Sequence, residues 1–265
     1  MPSSAAIRQQ IEQEMEHRFP SVLSPVPRTI REVVPTRIED LDRLLNGGLP
    51  VGAISELTGP ASSGRTSVAL AFLAQRTTSG HVCAWVDASD AFDPESAAAS
   101  GVCLKQLLWI RCRNVAVSSV RESAQKRSVE KAKPWSRLEQ AMRATDLLLQ
   151  AGGFAAIILD LGDEAVEHGL RIPLATWFRL RQAADRTRGS LIVIGKSAYA
   201  QSSAAVVLEC QALRAESAGG TVLRGFTYAV QRGRERFSPL TSITRKPPAS
   251  TWSAYAAWKA ERAHE

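Results

Sequence analysis

SELTGPASSGRTS, residues 55–67, carries the strongest fold signal in the chain. Gly59 and Gly64 are separated by four residues. The short β-type run AISELTG ends at Gly59, and the helical run TSVALAFLAQRTTSG follows Gly64. A strand, a glycine loop and a helix in this order form the context of a phosphate-binding loop. The glycines let backbone N–H groups converge on one concavity, where the helix N-terminus adds partial positive charge. We therefore predict a phosphate-loop fold, with Thr66 and Ser67 where a hydroxyl would bind Mg²⁺.

Arg65 stands where such a loop usually has lysine. Lysine is a slim point charge that reaches the β- and γ-phosphates, whereas arginine is a bulkier planar fork. Two outcomes are open at this stage: Arg65 swings out and still holds an anion, or it fills the pocket and excludes one. Weak or absent nucleotide binding is the expectation, so no cofactor is certain, and ATP or ADP with Mg²⁺ is expected to bind weakly at most.

The rest of the chain alternates between strand-like and helix-like runs. FAAIILDLG and SLIVIG are continuous apolar runs, typical of strands buried on both faces of a parallel sheet. This alternation predicts a three-layer α/β domain with a parallel-dominated central sheet. Asp160 ends the first of these runs, where a carboxylate would hold the water shell of a metal ion; a turn cap is the alternative.

Both ends of the chain differ from this pattern, so we predict three parts: 1–29, a core over 30–248, and 249–265. Residues 4–18 have a narrow apolar stripe on a polar helix, followed by a proline-rich strap. This arm either docks on another protomer or partner, or folds back on its own domain. The last part is predicted to be a helix whose aromatic ridge binds a partner or packs on the body; the ridge comprises Trp252, Tyr255 and Trp258.

Composition limits the function classes. The formal net charge is +7 with a pI near 9.6, so nucleic acid is a plausible partner. Four scattered cysteines and four histidines argue against a zinc cluster and favour reduced thiols in a cytoplasmic protein, with nucleoid association left open. No run of 18 apolar residues and no secretory signal occurs, so we expect neither a membrane span nor membrane partners.

Taken together, the motifs resemble those of the RecA recombinase family over roughly 30–240. The runs that carry the resemblance are LDRLLNGGLPVGAISELTGPASSGRTS, HVCAWVDASDAFDP, AAIILDL, LIVIG and AVQRGRERFSPL. It implies a RecA-like core with Gly59, Gly64, Arg65, Thr66, Ser67 and Asp160 at the nucleotide-binding positions.

Three departures from that family concern ATP chemistry. Arg65 replaces the loop lysine, Ser89 stands at the position of the catalytic glutamate, and Lys196 replaces a glutamine that senses the γ-phosphate. Asp90 is adjacent to Ser89, but successive strand side chains point to opposite faces. Loss of a positioned base lowers rates by about 10²–10⁴, so no catalytic residue is assigned and the site is expected to be degenerate.

The DNA-facing loops of the family are altered as well. The first reads GDEAVEHG, which is acidic, and the second is reduced to KSAYAQSSA. Lys196 and Tyr199 are its candidates for a backbone contact and a stacking contact, although Tyr199 would equally suit the core. Arg232 and Arg234 fall near a basic pair that reaches a neighbour's nucleotide in the family's filaments; an exposed strand end is the alternative.

Among RecA-like proteins the chain looks like the ImuA group of bacteria, also termed SulA-like. That resemblance implies an accessory role in damage-induced mutagenesis and translesion synthesis. The implied partners are an ImuB-type inactive Y-family polymerase, an error-prone C-family DNA polymerase, RecA and DNA. Two alternatives remain open: an ATP-dependent, DNA-binding recombinase, and a cell-division inhibitor of the damage response.

Overall fold

The computed structural model describes residues 31–112, 135–162, 164–218, 222–235 and 249–255. Contacts divide the chain into two compact units, Met1–Arg31 and Glu32–Glu265. Three predicted features lie outside the described residues: the N-terminal arm, residues 121–134 of the charged run, and Trp258.

An eight-stranded sheet runs through the second unit in the order β10-β9-β8-β3-β7-β6-β4-β5. The pairs from β8 through β3 to β5 are parallel, and β8, β9 and β10 are joined by antiparallel pairs. A separate two-stranded sheet pairs β1 with β2. The strands are β1 Val33–Val34, β2 Leu49–Pro50, β3 Ile54–Thr58, β4 Cys83–Asp87, β5 Leu107–Arg111, β6 Ala156–Asp160, β7 Ser190–Gly195, β8 Ala204–Ala218, β9 Val222–Glu235 and β10 Ala249–Tyr255.

Helices cover both faces of the sheet. Their bounds are α1 Glu39–Leu44, α2 Arg65–Thr78, α3 Pro94–Ala99, α4 Trp135–Ala151, α5 Val166–Leu170 and α6 Leu174–Thr187. Two short 3₁₀ turns, Leu104–Gln106 and Gln201–Ser203, precede β5 and β8. Within the described ranges, none of the helices is long and apolar enough to cross a membrane.

The buried strands send alternate side chains to two separate cores. In β6, Ile158 packs in the cluster that contains α2, whereas Ile157 and Leu159 pack in the cluster that contains α4 and α6. This division follows from the two-residue period of a strand, and it explains why these runs are apolar at every position. The predicted three-layer α/β architecture with a mostly parallel sheet is confirmed.

The parallel strands end at one edge of the sheet, and this edge gathers the sequence motifs. The glycine loop follows β3, Asp160 ends β6, and Lys196 follows β7. Ligands of open α/β sheets bind at the carboxyl ends of the strands. The fold therefore brings residues 59–67, 160 and 195–200 together, although more than a hundred positions separate the first from the last.

The C-terminal segment departs from the prediction of a helix. Residues 249–255 form β10, which pairs antiparallel with β9, and Trp252 lies opposite Tyr228. Trp252 is buried, whereas Thr251 and Ser253 on either side are exposed. This alternation has the period of a strand, so the helical interpretation of the spacing of Trp252 and Tyr255 is wrong for these residues.

Candidate functional site

The loop between β3 and α2 requires both of its glycines. Gly59 has φ +144°, and an added Cβ would lie 2.2 Å from the carbonyl oxygen of Cys210. Gly64 has φ +87° at the N-cap of α2, and its added Cβ would lie 2.9 Å from the ring of Tyr228. Any other residue would be strained and would collide at either position. Strand β8 and the β9–β10 pair thus press directly on the back of the loop.

Two aromatic rings form that backing surface. Tyr228 and Trp252 stack with ring centroids 4.7 Å apart, and the Trp252 ring also lies about 3.0 Å from an added Cβ at Gly64. Burial raises the pKa of Tyr228, and a hydrogen bond with Ser67 opposes this rise. Sequence analysis missed this role of Tyr228 and placed Trp252 on a helix that would bind a partner or pack on the body; Trp252 does pack on the body, but from a strand.

The Arg65 side chain is turned into the protein. It is 8% exposed, and Nη1 donates a hydrogen bond of 2.6 Å to the carbonyl oxygen of Gly195 at the end of β7. The side chain is therefore turned inward, and the guanidinium spans from the loop to β7. The site keeps a cation, but the cation is already bound to a protein acceptor.

A cavity of about 250 Å³ adjoins Arg65. Thr66 and Asp160 both line it, so the hydroxyl and the carboxylate expected at a magnesium site face the same space. The Asp160 Oδ1 atom also accepts a 2.9 Å hydrogen bond from the Gly162 N–H. Hard oxygen ligands of this kind fit Mg²⁺ held through water and phosphate. The remaining lining mixes polar and apolar side chains: Leu70, Trp85, Ala91, Phe92, Asp93, Ser96 and Ile194.

The segment after β4 brings one carboxylate to this cavity, that of Asp93, which caps α3 by accepting hydrogen bonds from the N–H groups of Glu95 and Ser96. Ser89 and Asp90 are not among the residues that line it. Asp90 has φ +60° and pairs with Arg111 on β5, at 2.5 Å to Nε and 2.8 Å to Nη2. Asp90, the carboxylate next to Ser89, is therefore engaged at the edge of the sheet.

Asp87 fixes the path of the same segment. This fully buried carboxylate accepts hydrogen bonds from the N–H groups of Ser89, Ala91 and Phe92, and from the Trp109 indole. A carboxylate that satisfies three backbone donors holds a turn in one conformation. The Ser89 backbone is consequently fixed, and its short side chain cannot extend to replace a glutamate.

Tyr199 is not available to stack on a DNA base. The side chain is 1% exposed, and its ring lies 2.4 Å from the position of an added Cβ at Gly169 and at Gly195. Glu56 Oε1 accepts hydrogen bonds from the N–H groups of Tyr199 and Ala200, at 2.6 and 2.9 Å. The prediction of Tyr199 as a DNA contact is wrong in this structure, because two glycines make room for the ring inside the fold.

Glu56 is a structural position beside the site that sequence analysis overlooked. It lies in the middle of β3, is 1% exposed, and anchors the backbone after β7. A charged residue inside an apolar strand is rarely buried without partners, which was the available signal. Lys196, by contrast, is exposed, so its prediction as a backbone contact stays open.

Of the two candidate arginines on β9, Arg232 and Arg234, the structure describes the side chain of Arg232. Arg232 Nη1 donates a 3.0 Å hydrogen bond to the carbonyl oxygen of Leu44, the last residue of α1. An arginine at a helix C-terminus stabilises the unpaired carbonyls there. Arg232 therefore has a structural contact. The side chain of Arg234 on β9 lies outside the described residues, as does that of Tyr255 on β10.

Comparison with known proteins agrees with the fold. Residues 6–114 match the family described as RecA N-terminal domain. Curated relatives are Protein RecA of Brucella anthropi, 36% identical over 130 residues (49% of this chain, 30% of that protein), and of Trichodesmium erythraeum, 50% identical over 68 residues (26% and 19%). Protein RecA of Crocosphaera subtropica is 46% identical over 77 residues (29% and 22%). The chain thus spans less than a third of the length of these relatives.

A solved structure extends the likeness to most of the chain. The RadB recombinase crystal structure aligns with a TM-score of 0.55 and 17% identity, covering 83% of this chain and 94% of that one. At this identity the likeness concerns the fold alone. The sequence matches and the fold together support a relationship with RecA-like recombinases.

Proposed function

We propose that this protein is a hydrolysis-deficient, RecA-like accessory protein of damage-induced mutagenesis that works as an adaptor. The observation that supports the proposal most directly is the hydrogen bond from Arg65 to the Gly195 carbonyl. In this arrangement the residue at the lysine position serves as a brace between the loop and β7. A nucleotide would have to displace this contact in order to use the charge.

The segment after β4 supports the same conclusion. Hydrolysis of a phosphoanhydride needs a group that orients and deprotonates water. Ser89 offers no base, Asp90 is paired with Arg111, and the Asp93 carboxylate at the cavity is occupied in capping α3. The remaining surfaces, which carry a formal net charge of +7 over the whole chain, then perform the work by binding. The partners we propose are an ImuB-type inactive Y-family polymerase, an error-prone C-family polymerase, RecA and DNA.

A second function, an ATP-dependent recombinase, is favoured by a different observation. Thr66 and Asp160 still line one cavity, as a magnesium–nucleotide site would require. If nucleotide binds, the loop N–H groups would hold its phosphates, with Thr66 and Asp160 toward the metal ion, which would supply charge neutralisation. In that case Asp160 would matter for activity, whereas in the adaptor it supports only the local fold.

The test compares nucleotide binding with turnover. Arg65→Lys should increase affinity for Mg²⁺-ADP by about tenfold or more, because the substitution removes the Arg65–Gly195 hydrogen bond and frees the loop. It should not produce hydrolysis, since Ser89 still leaves water unactivated. Calorimetry measures the binding, and phosphate release with and without single-stranded DNA measures the turnover; Arg43→Lys on the exposed face of α1 is the matched control.

Two results would contradict the adaptor. One is phosphate release by the unmodified protein that Asp160→Ala abolishes, which would establish the recombinase alternative. The other is appreciable turnover in Arg65→Lys alone. A series of DNA titrations at increasing salt tests whether the protein contacts DNA directly, because binding through phosphate contacts weakens steeply as salt rises.

A further inference from the structure

We propose that an anion bound in the glycine loop releases the turn that follows β7, residues 195–200, by displacing Arg65 from it. This segment is termed the β7 turn. The inference rests on the proposed function, because it gives the regulation of the same site in a protein that does not hydrolyse nucleotide. Hydrogen bonds hold the β7 turn at both of its ends, and only those at the first end come from the glycine loop.

Arg65 holds the first end of the β7 turn. Its Nη1 atom donates the 2.6 Å hydrogen bond to the carbonyl oxygen of Gly195, at the last position where β7 pairs with β3. The next residue, Lys196, has an exposed side chain, so the chain leaves the sheet at this point. The part of the turn that carries Lys196 therefore depends on where the Arg65 side chain lies.

Glu56 holds the other end of the β7 turn. Its Oε1 atom accepts hydrogen bonds from the N–H groups of Tyr199 and Ala200, and the residue is almost fully buried. The Tyr199 ring also lies against Gly169 of α5. Because Glu56 belongs to β3 and not to the glycine loop, a ligand in the loop leaves these contacts in place. Tyr199 and Ala200 therefore stay fixed when the first end is released.

An anion and the Gly195 carbonyl compete for the same guanidinium. The carbonyl is a neutral acceptor, and a hydrogen bond between two charged groups is stronger than one to a neutral acceptor. Arg65 lines the cavity of about 250 Å³ beside the loop, so an anion in that cavity is its neighbour. When the guanidinium turns to the anion, its bond to the carbonyl is lost. Anion binding therefore loosens the β7 turn, and the held turn weakens anion binding by the same factor.

Nuclear magnetic resonance of the full chain measures this release residue by residue. In the ligand-free, unmodified protein we expect backbone order parameters near about 0.85 throughout the β7 turn, the value of a rigid backbone. Arg65→Lys should lower those of residues 196–198 to about 0.6 or below, because it removes the hydrogen bond to Gly195. Residues 199–200 should keep the rigid value. Arg43→Lys is the matched control and should change none of them, since Arg43 is paired within α1.

A second measurement uses the unmodified protein and so does not depend on the folding of a variant. Inorganic pyrophosphate is titrated until the amide shifts of residues 62–66 no longer change. The order parameters of residues 196–198 should then fall toward their values in Arg65→Lys, and pyrophosphate should change them little in that variant. Four outcomes would overturn the proposal: a rigid turn in ligand-free Arg65→Lys, no binding of pyrophosphate by the unmodified protein, binding that leaves the turn rigid, or binding that raises the order parameters.

The regulation and the proposed function fail separately. Phosphate release from ATP by the unmodified protein would contradict the adaptor, but the ligand-free comparison with Arg65→Lys contains no nucleotide and would be unaffected. A β7 turn that stays rigid in Arg65→Lys would remove the regulation. It would leave the absence of hydrolysis in place, because that absence depends on Ser89 and not on the turn.

Discussion

Single residues near the site are packed closely enough that one methyl group has consequences. Tyr199 fills a slot whose two walls are the Cα atoms of Gly169 and Gly195. Neither glycine is needed for a left-handed backbone, because neither has a positive φ. The Tyr199 ring excludes a side chain at both positions, so the requirement for glycine depends on the ring at position 199.

Gly169→Ala should lower the free energy of unfolding by about 1–3 kcal/mol, since the new methyl group overlaps the Tyr199 ring. Chemical denaturation measures the change. In a Tyr199→Ala background the same substitution should cost little, because the ring is gone, and the double-mutant cycle isolates this coupling. Equal costs in both backgrounds would show that Gly169 acts through the backbone alone.

The residue scale also shows the limit of sequence analysis. The glycines, the hydroxyls and Asp160 could be predicted because their roles depend on local order along the chain. The position of the Arg65 side chain could not, because its acceptor is the Gly195 carbonyl, 130 positions away. Burial of Tyr199 likewise depends on Gly169 from a different element. Long side chains and rings find their partners only when the sheet order is known.

At the scale of elements, the strands were predicted more reliably than the tail. Buried runs such as AIIL, residues 156–159, are apolar at every position, which few other elements are. The sequence ASTWSAY satisfied two readings, since aromatic residues three apart suit a helix while alternation around Trp252 suits a strand. Pairing with β9 selected the strand, and that interaction is non-local.

Trp252→Ala should lower the free energy of unfolding by about 3–5 kcal/mol, because the indole fills the space between Tyr228 and Gly64. Ser253→Ala is the matched control on the exposed side of the same strand, and it should change stability by about 0.5 kcal/mol or less. Urea denaturation measures both. A small effect of Trp252→Ala would mean that β10 contributes little to the cover of the loop.

At the scale of the whole molecule, buried thiols link stability to alkaline pH. Burial raises the pKa of Cys83 and Cys112 from 9.0 to about 11, and that of Cys210 to about 12. Burial also raises the pKa of Tyr199 and Tyr228. A group whose pKa is higher in the folded chain favours folding below its unfolded pKa. That contribution is lost as pH rises from about 9 through the folded values.

We therefore expect the urea midpoint of the full chain to fall between about pH 8 and pH 10.5, as the unfolded thiols ionise and the folded ones do not. The urea midpoint of a Cys210→Ala variant should fall less steeply over this pH range, whatever its value at pH 8, because one thiol with a raised pKa is removed. Parallel curves for the two proteins would mean that other groups cause the alkaline loss.

The contact of Trp252 and Tyr228 with Gly64 has a consequence for synthesis on the ribosome. The loop at 59–64 emerges early, but the rings that cover it come from strands made near the other end of the chain. At about 5–20 residues per second, the nascent loop waits on the order of ten to forty seconds for its cover. During that interval its amides and the neighbouring apolar strands face the solvent, where anions and chaperones have first access to them.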